Sequence, residues 1–297
     1  MEITIRNYEK KDKDQLKKVI TICSEEHLLN LVDSSNLKLA MTVFAEDFLI
    51  GSIIVWTNNF HPYCTYFKIL IHPQNFETEI AEKLLSKLDE LEGMKLPLQT
   101  SLWESEINFK KLYEKKGFKE IRRTFLTKLL TADFKVHPLI NKNLRIKSLQ
   151  EIVTNEILFE NLIVLVKRNY QQAHLVNPVA DKEFSVWKKL ILSEDIDLNG
   201  SYVLLNNDES DILAYSLFHI PEELDTIEFG WCGADEYQNA KLIQQLISKQ
   251  LQYAVQHNIK SIVGEFDTTD FYAMEIFRYL QISSSRTLIT YQYGERS

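Results

Sequence analysis

The sequence predicts an α/β protein built from two similar halves, and three observations predict it. Strand-like and helix-like apolar periodicities alternate along the whole chain. The helix stripe Ile80, Ala81, Leu84 and Leu85 reappears at one constant offset as Leu242, Ile243, Leu246 and Ile247. Downstream of each stripe, Arg123-Thr124-Phe125-Leu126-Thr127 is echoed by Arg286-Thr287-Leu288-Ile289-Thr290. Two echoes in the same order point to one fold used twice.

In the first half, Ile3 to Arg6 alternates as a strand, and a charged start at Asp12 to Asp14 leads into a helix through Leu16, Val19, Ile20 and Cys23. Strands follow over 39–45 and 48–56, joined by a tight turn at Glu46-Asp47, and over 66–71, where Pro73 stops the strand. The next helix starts near Glu77, aligns Ile80, Ala81, Leu84, Leu85, Leu88 and Leu91 on one face, and ends at Gly93. A strand over 98–103, a helix over 107–116 stopped by Gly117 and a strand over 118–130 close the half. Pro138 and two asparagines break the pattern between 131 and 143, giving domains at 1–132 and 144–297 with a linker at 133–143. The second half repeats the order. It runs as a strand over 144–148, a helical region from Glu151 to about Leu192, and strands over 202–206, 212–219 and 226–231. A long helix striped by Leu242 to Ala254, a strand over 261–266, a helix over 271–279 and a strand over 286–293 complete it.

Composition narrows the function. Halves of a 297-residue chain are ordinary domain size, and 45% hydrophobic with 26% charged residues is globular composition. A net charge of -8 argues against a general nucleic-acid binder. Cys23, Cys64 and Cys232 are odd in number and widely spaced, which suits a reducing compartment, and no zinc-type Cys/His pairing occurs. The charged start MEITIRNYEKKDKD is not signal-like and no apolar run reaches membrane-spanning length, so the expected location is cytoplasmic.

The segments Ile71–Leu85 and Gly233–Ile247 each carry a strand through a loop into a helix, where successive N–H groups and the helix dipole suit a phosphate. This order of elements resembles the GNAT acetyltransferase superfamily, in two tandem copies covering nearly the whole chain. The resemblance implies two domains, each a mostly antiparallel twisted sheet flanked by helices, and acetyl-CoA as cosubstrate without a metal. The family's loop has the form V-x-P-x-x-R/Q-x-x-G-x-G/A-x-x-L. The first copy matches it at Ile71, Pro73, Ala81 and Leu84 and departs at Phe76 and Glu79, where Glu79 places a negative charge at the pyrophosphate position. The second copy begins at Gly233 and offers Gln238, Asn239, Ala240 and Lys241, with Ile243 in place of a small residue. Lys241 is either a phosphate partner or a solvated charge. Of the two loops the second is expected to bind, because its charge is not adverse.

A second family pattern, N-x-x-A-x-x-x-Y-x-x-x-G-F, implies a tyrosine acid beside the CoA thiol. Glu106 to Phe118 keeps Tyr113, Gly117 and Phe118, so Tyr113 is either that acid or an aromatic packed with Leu112 against the sheet. In the second copy Phe277 stands at the Tyr position and cannot donate a proton. The general base has no fixed motif; Glu228 and Glu265, on adjacent strands, either pair inward with one pKa raised or face solvent. Tyr170, His174 and Trp187 fall where the family builds its acceptor wall, as pocket lining or as helix core. The expected activity is acetyl transfer from acetyl-CoA to a small amine or peptide amine in at most one half. The alternative is a degenerate, non-catalytic binding or metabolite-sensing module. The expected partner is the amine acceptor, without nucleic acid or membrane, and a homodimer is left open.

Overall fold

The computed structural model describes residues 3–91, 94–134, 145–283 and 285–295. They form two compact units: one built from the chain up to Ile121 with Asn177–Ala180 and the stretch from Ile289 onward, the other from Arg122–Val176 and Asp181–Leu288.

The first unit opens with β1 (Ile3–Asn7), α1 (Lys13–Ile22) and the single turn α2 (Leu29–Val32), followed by β2 (Leu37–Ala45), β3 (Phe48–Trp56) and β4 (Thr65–Ile71). Then come α3 (Thr78–Ser86), β5 (Leu98–Trp103) and α4 (Ile107–Lys115). β1 to β4 pair antiparallel in chain order, and β5 joins β4 in parallel. Alternation along β3 sends Ile53 and Val55 to the core under α3 and α4, and Ile54 to a second core with Leu16, Val19 and Ile20 of α1. A strand buried on both faces explains the near-continuous apolar run over 48–56. The Asn177–Ala180 segment is tied in by Asn177, whose Nδ2 donates to the Tyr66 hydroxyl at 2.8 Å, and by Ala180 N–H donating to Phe60 O at 2.8 Å.

β6 (Lys119–Leu130) carries the chain into the second unit, which continues with β7 (Arg145–Ser148), α5 (Leu149–Val153), α6 (Glu156–Ala173) and α7 (Phe184–Ile191). β8 (Tyr202–Leu205), β9 (Ile212–His219), β10 (Thr226–Ala234), α8 (Ile243–Gln256), β11 (Ser261–Asp267) and α9 (Phe271–Tyr279) follow, and β12 (Arg286–Tyr293) ends the order. The sheet runs β6-β11-β10-β9-β8-β7. Only β10 and β11 pair in parallel; the neighbouring pairs are antiparallel. α8 and α9 bury Leu246, Ile247, Leu251 and Ile276 against Phe229, Ile262 and Phe266.

The units therefore do not coincide with the halves of the sequence. Thr124–Leu130 of β6 pairs with β11 in the second unit, whereas Ile289–Tyr293 of β12 closes the first unit beside β5. There Thr290 Oγ1 lies 3.0 Å from Ser101 Oγ, and Gln292 Nε2 donates to Gln99 Oε1 at 2.8 Å. Each half exchanges its last strand with the other unit. Most of the expected linker at 133–143, and the expected helix stop at Gly93, lie outside the described residues. The helical region from Glu151 to Leu192 resolves into three helices, with residues 174–183 between the last two non-helical around Pro178. Cys23, Cys64 and Cys232 form no disulfide, and among the described residues no helix is long and apolar enough to cross a membrane.

Candidate active site

β10 and β11 pair over Thr226–Phe229 and Ser261–Gly264, and the ladder stops there. One step further, β10 slips register against β9 between Phe229 and Cys232, so Gly230 and Trp231 form a bulge. The strands separate, and a cavity of about 310 Å³ opens between them under α6. The two glycines of this stretch admit side chains. A Cβ on Gly230 would lie 2.1 Å from His219 Cδ2 and 2.4 Å from Nε2, and one on Gly233 would lie 2.1 Å from Asn169 Nδ2. Neither position tolerates a larger residue without displacing a cavity wall.

The polar walls are mostly acceptors. Glu228 sits opposite His219 in the β9 ladder, and burial raises its pKa against the opposing effect of His219. Glu265 shares that face of the sheet one step along β11. Its side chain reaches solvent at the cavity mouth, yet the surrounding walls, and then the charge of Glu228, still raise its pKa. Asp267 is committed to Arg122, 3.1 Å away, and to the Thr124 hydroxyl. Asp270 caps α9, accepting from the N–H groups of Tyr272 at 2.9 Å and Ala273 at 3.0 Å, while burial pushes its pKa up to about 6. Asn169 is 4% exposed; its Nδ2 donates to Ala234 O at 3.1 Å, and its Oδ1 has no partner. His219 Nδ1 lies 2.8 Å from Asp195 Oδ2. Hydrogen bonds from Ser193 and His219 hold Asp195 below the usual carboxylate range, so it is ionised and accepts only. Nδ1 must then carry the proton, and Nε2 is left as a base.

Asp270 binds its proton more tightly folded than unfolded, so its charge costs stability above about pH 6, and that cost vanishes as pH falls below the ordinary carboxylate range. Asn caps a helix as well as Asp does. Asp270→Asn should therefore raise unfolding stability by about 3 kcal/mol at pH 8 and by nothing near pH 3, read from urea transitions at both values. An unchanged transition at pH 8 would show that the carboxylate is well solvated.

Of the residues expected to act, Glu228, Glu265 and the wall residues Tyr170 and His174 come together at this cavity. Trp187 does not, being fully buried as helix core. Gln238 and Asn239 lie in a 3-10 turn (Tyr237–Leu242) that precedes α8. Gln238 Nε2 donates to Glu236, and Asn239 Nδ2 to Asp235 Oδ1 at 2.8 Å. The expectation that this loop carries no adverse charge is thus corrected: two carboxylates stand in it and take up its donors. Ala240 is buried and Lys241 exposed.

In the first unit, β4 and β5 pair only through Thr65–Leu98 and Tyr66–Gln99 before a cavity of about 410 Å³ opens. Lys68 spans it: its ammonium is 2.5 Å from Glu25 Oε1 and donates to Ser101 O on the opposite strand at 2.7 Å. Glu79 is answered by Lys83 at 3.0 Å. Ile71 lies at the cavity, and Ala81 is core. Tyr113 is 2% exposed, edge-on to Phe67 with ring centroids 5.8 Å apart and beside Phe118 and Tyr291. Burial drives its pKa far up, and it is not among the residues lining the cavity, so its packing reading describes the structure and its acid reading does not. The His219–Asp195 pair, Asn169 and Asp270 were not singled out from sequence. Only Asp270, before an apolar helix, carried a readable signal, as an N-cap.

No family model matches the chain, and no curated protein does. Solved structures do. A GCN5-related N-acetyltransferase from Sphaerobacter thermophilus is similar at 13% identity and a TM-score of 0.69, over 99% of this chain and 96% of that one. A tandem GNAT protein from the clavulanic acid biosynthesis pathway is similar at 10% identity and a TM-score of 0.61, over the full length of both. A GCN5-related glucosamine N-acetyltransferase region of a fungal multi-domain β-N-acetylglucosaminidase is similar at 10% identity and a TM-score of 0.67, over 98% of this chain and 38% of that one. With a strand splay followed by a loop and helix in each unit, and end-to-end similarity to a tandem GNAT protein, the fold of this chain is the tandem GNAT fold.

Proposed function

We propose that the protein transfers an acyl group, the acetyl group of acetyl-CoA, to a small-molecule or peptide amine, and that the chemistry belongs to the second unit. The observation that carries this reading is the convergence of Glu228, Glu265 and the Asp195–His219 pair on the cavity where β10 and β11 part. An ammonium substrate is attracted by the carboxylates and must lose a proton before it can attack. His219 Nε2 takes that proton while Asp195 stabilises the imidazolium. The free amine attacks the thioester carbon, and a main-chain amide released by the Gly230–Trp231 bulge donates to the developing oxyanion. The C–S bond breaks, and the thiolate receives the second proton shed by the nitrogen.

Thiol release from acetyl-CoA with a panel of amines tests this directly. His219→Ala should lower turnover about 100-fold or more. Undiminished turnover would remove His219 as base, and no thiol release by the wild type with any amine would end the enzymatic reading.

A second reading, a binding or sensing module without catalysis, draws support from the second loop. Asp235 and Glu236 occupy the donors of Gln238 and Asn239 and oppose an anionic cosubstrate. Amine binding in calorimetry together with silence toward both coenzyme A and acetyl-CoA would favour it.

A further inference from the structure

We propose that the cavity between β10 and β11 takes a compact diamine in its doubly charged form, with one ammonium at Glu228 and Glu265 and the other at Asp270 and Asn169. The inference rests on the amine-binding reading of this cavity and not on transfer taking place there.

Three features carry it. The first is the balance of charge within the walls. Arg122 is engaged with Asp267 and His219 Nδ1 with Asp195, and among the described residues no ion pair joins Glu228, Glu265 or Asp270 to a cation. A ligand that brings positive charge relieves their mutual repulsion.

The second is an acceptor without a donor. Asn169 Oδ1 is buried, lines the cavity and receives no hydrogen bond. Leaving such an atom dry is costly, and an N–H donor would satisfy it. Asn169 is positioned for the far end, because Nδ2 is fixed on Ala234 O, at the end of β10.

The third is spacing. The acidic groups neighbour one another in order, Glu228 beside His219 and near Glu265, Glu265 near Asp267, and Asp267 near Asp270. Glu265 and Asp267 are separated by about 7 Å of strand rise, and Asp270 follows across a turn in which its N–H donates to Asp267 O at 2.9 Å. One monovalent head cannot serve both ends. Tyr170 and Trp231, edge-on at 5.5 Å, line the cavity between α6 and the bulge and add aromatic surface to its walls.

Calorimetry without acetyl-CoA tests the proposal, using 1,2-diaminoethane, 1,4-diaminobutane, 1,6-diaminohexane, butylamine and Mg²⁺ at one ionic strength. At least one diamine should bind about tenfold or more tighter than butylamine, as expected for one additional charge-assisted contact. Asp270→Asn, whose cap is retained, and Glu265→Gln, at the open mouth, should each reduce that margin to about threefold or less. Equal affinity for diamines and butylamine, an undiminished margin in both variants, or Mg²⁺ binding as tightly as the best diamine would overturn it. Failure here and failure of the acyl-transfer reading are separable. Acetylation of butylamine as readily as of the diamines leaves transfer standing and removes the dication site, whereas diamine binding without thiol release does the reverse.

Discussion

Lys68→Ala is expected to cost about 3–5 kcal/mol of unfolding free energy in the first unit, read from its urea transition. The side chains of Lys68 and Glu25 are each only 10% exposed, so removing the ammonium strands a carboxylate in a site water scarcely reaches. The loss also frees Ser101 O, which accepts from Lys68 across the gap between β4 and β5. Replacing both partners at once, as Lys68→Met with Glu25→Leu, should recover most of the loss, because no uncompensated charge then remains. A single-variant loss below about 1 kcal/mol would mean that the pair is hydrated and behaves like a surface ion pair.

Fragments 1–132 and 144–297, expressed apart, should each fail to unfold cooperatively, while co-expression should yield a complex with a cooperative transition. The first fragment lacks Ile289–Tyr293, which supply Ile289 and Tyr291 to its core, and it carries β6, which has no partner there. The second lacks Thr124–Leu130 and leaves one side of β11 unpaired. Losing a strand that closes a sheet removes both ladder hydrogen bonds and buried apolar area, enough to consume a typical domain's margin of stability. Two separately cooperative fragments, seen by circular dichroism during thermal melts, would show that each half closes its own sheet.

Much of the fold was legible because its periodicity is local. The strands over 48–56, 98–103, 212–219 and 286–293 and the helix over 271–279 occur with the bounds the pattern predicts. β10 runs three residues beyond its predicted end, since the bulge at Gly230–Trp231 interrupts the alternation from which a strand is read. Partner choice was not legible. Arg123–Thr127 and Arg286–Thr290 are nearly the same strand, so either pattern suits either sheet, and what selects between them is packing around the whole unit. The site divides the same way. Glu228 and Glu265 were found because adjacent strands place same-face residues together. Asn169, His219 and Asp195 come from a helix, a strand and a loop that only tertiary structure unites. The phosphate loop was misread because Asp235, at the motif's proline position, and Glu236, at an unconstrained one, fold back onto Asn239 and Gln238.

The exchange of final strands also inverts the order in which the protein can be finished on the ribosome. The second unit has all its strands once β11 has emerged, but the first, begun earlier, waits for Ile289–Tyr293. At ordinary synthesis speeds that delay is on the order of ten seconds or more, during which β5 presents an unpaired edge. Nascent chains of this protein should therefore be most prone to misassociate through the open edge of β5, before Ile289–Tyr293 emerge.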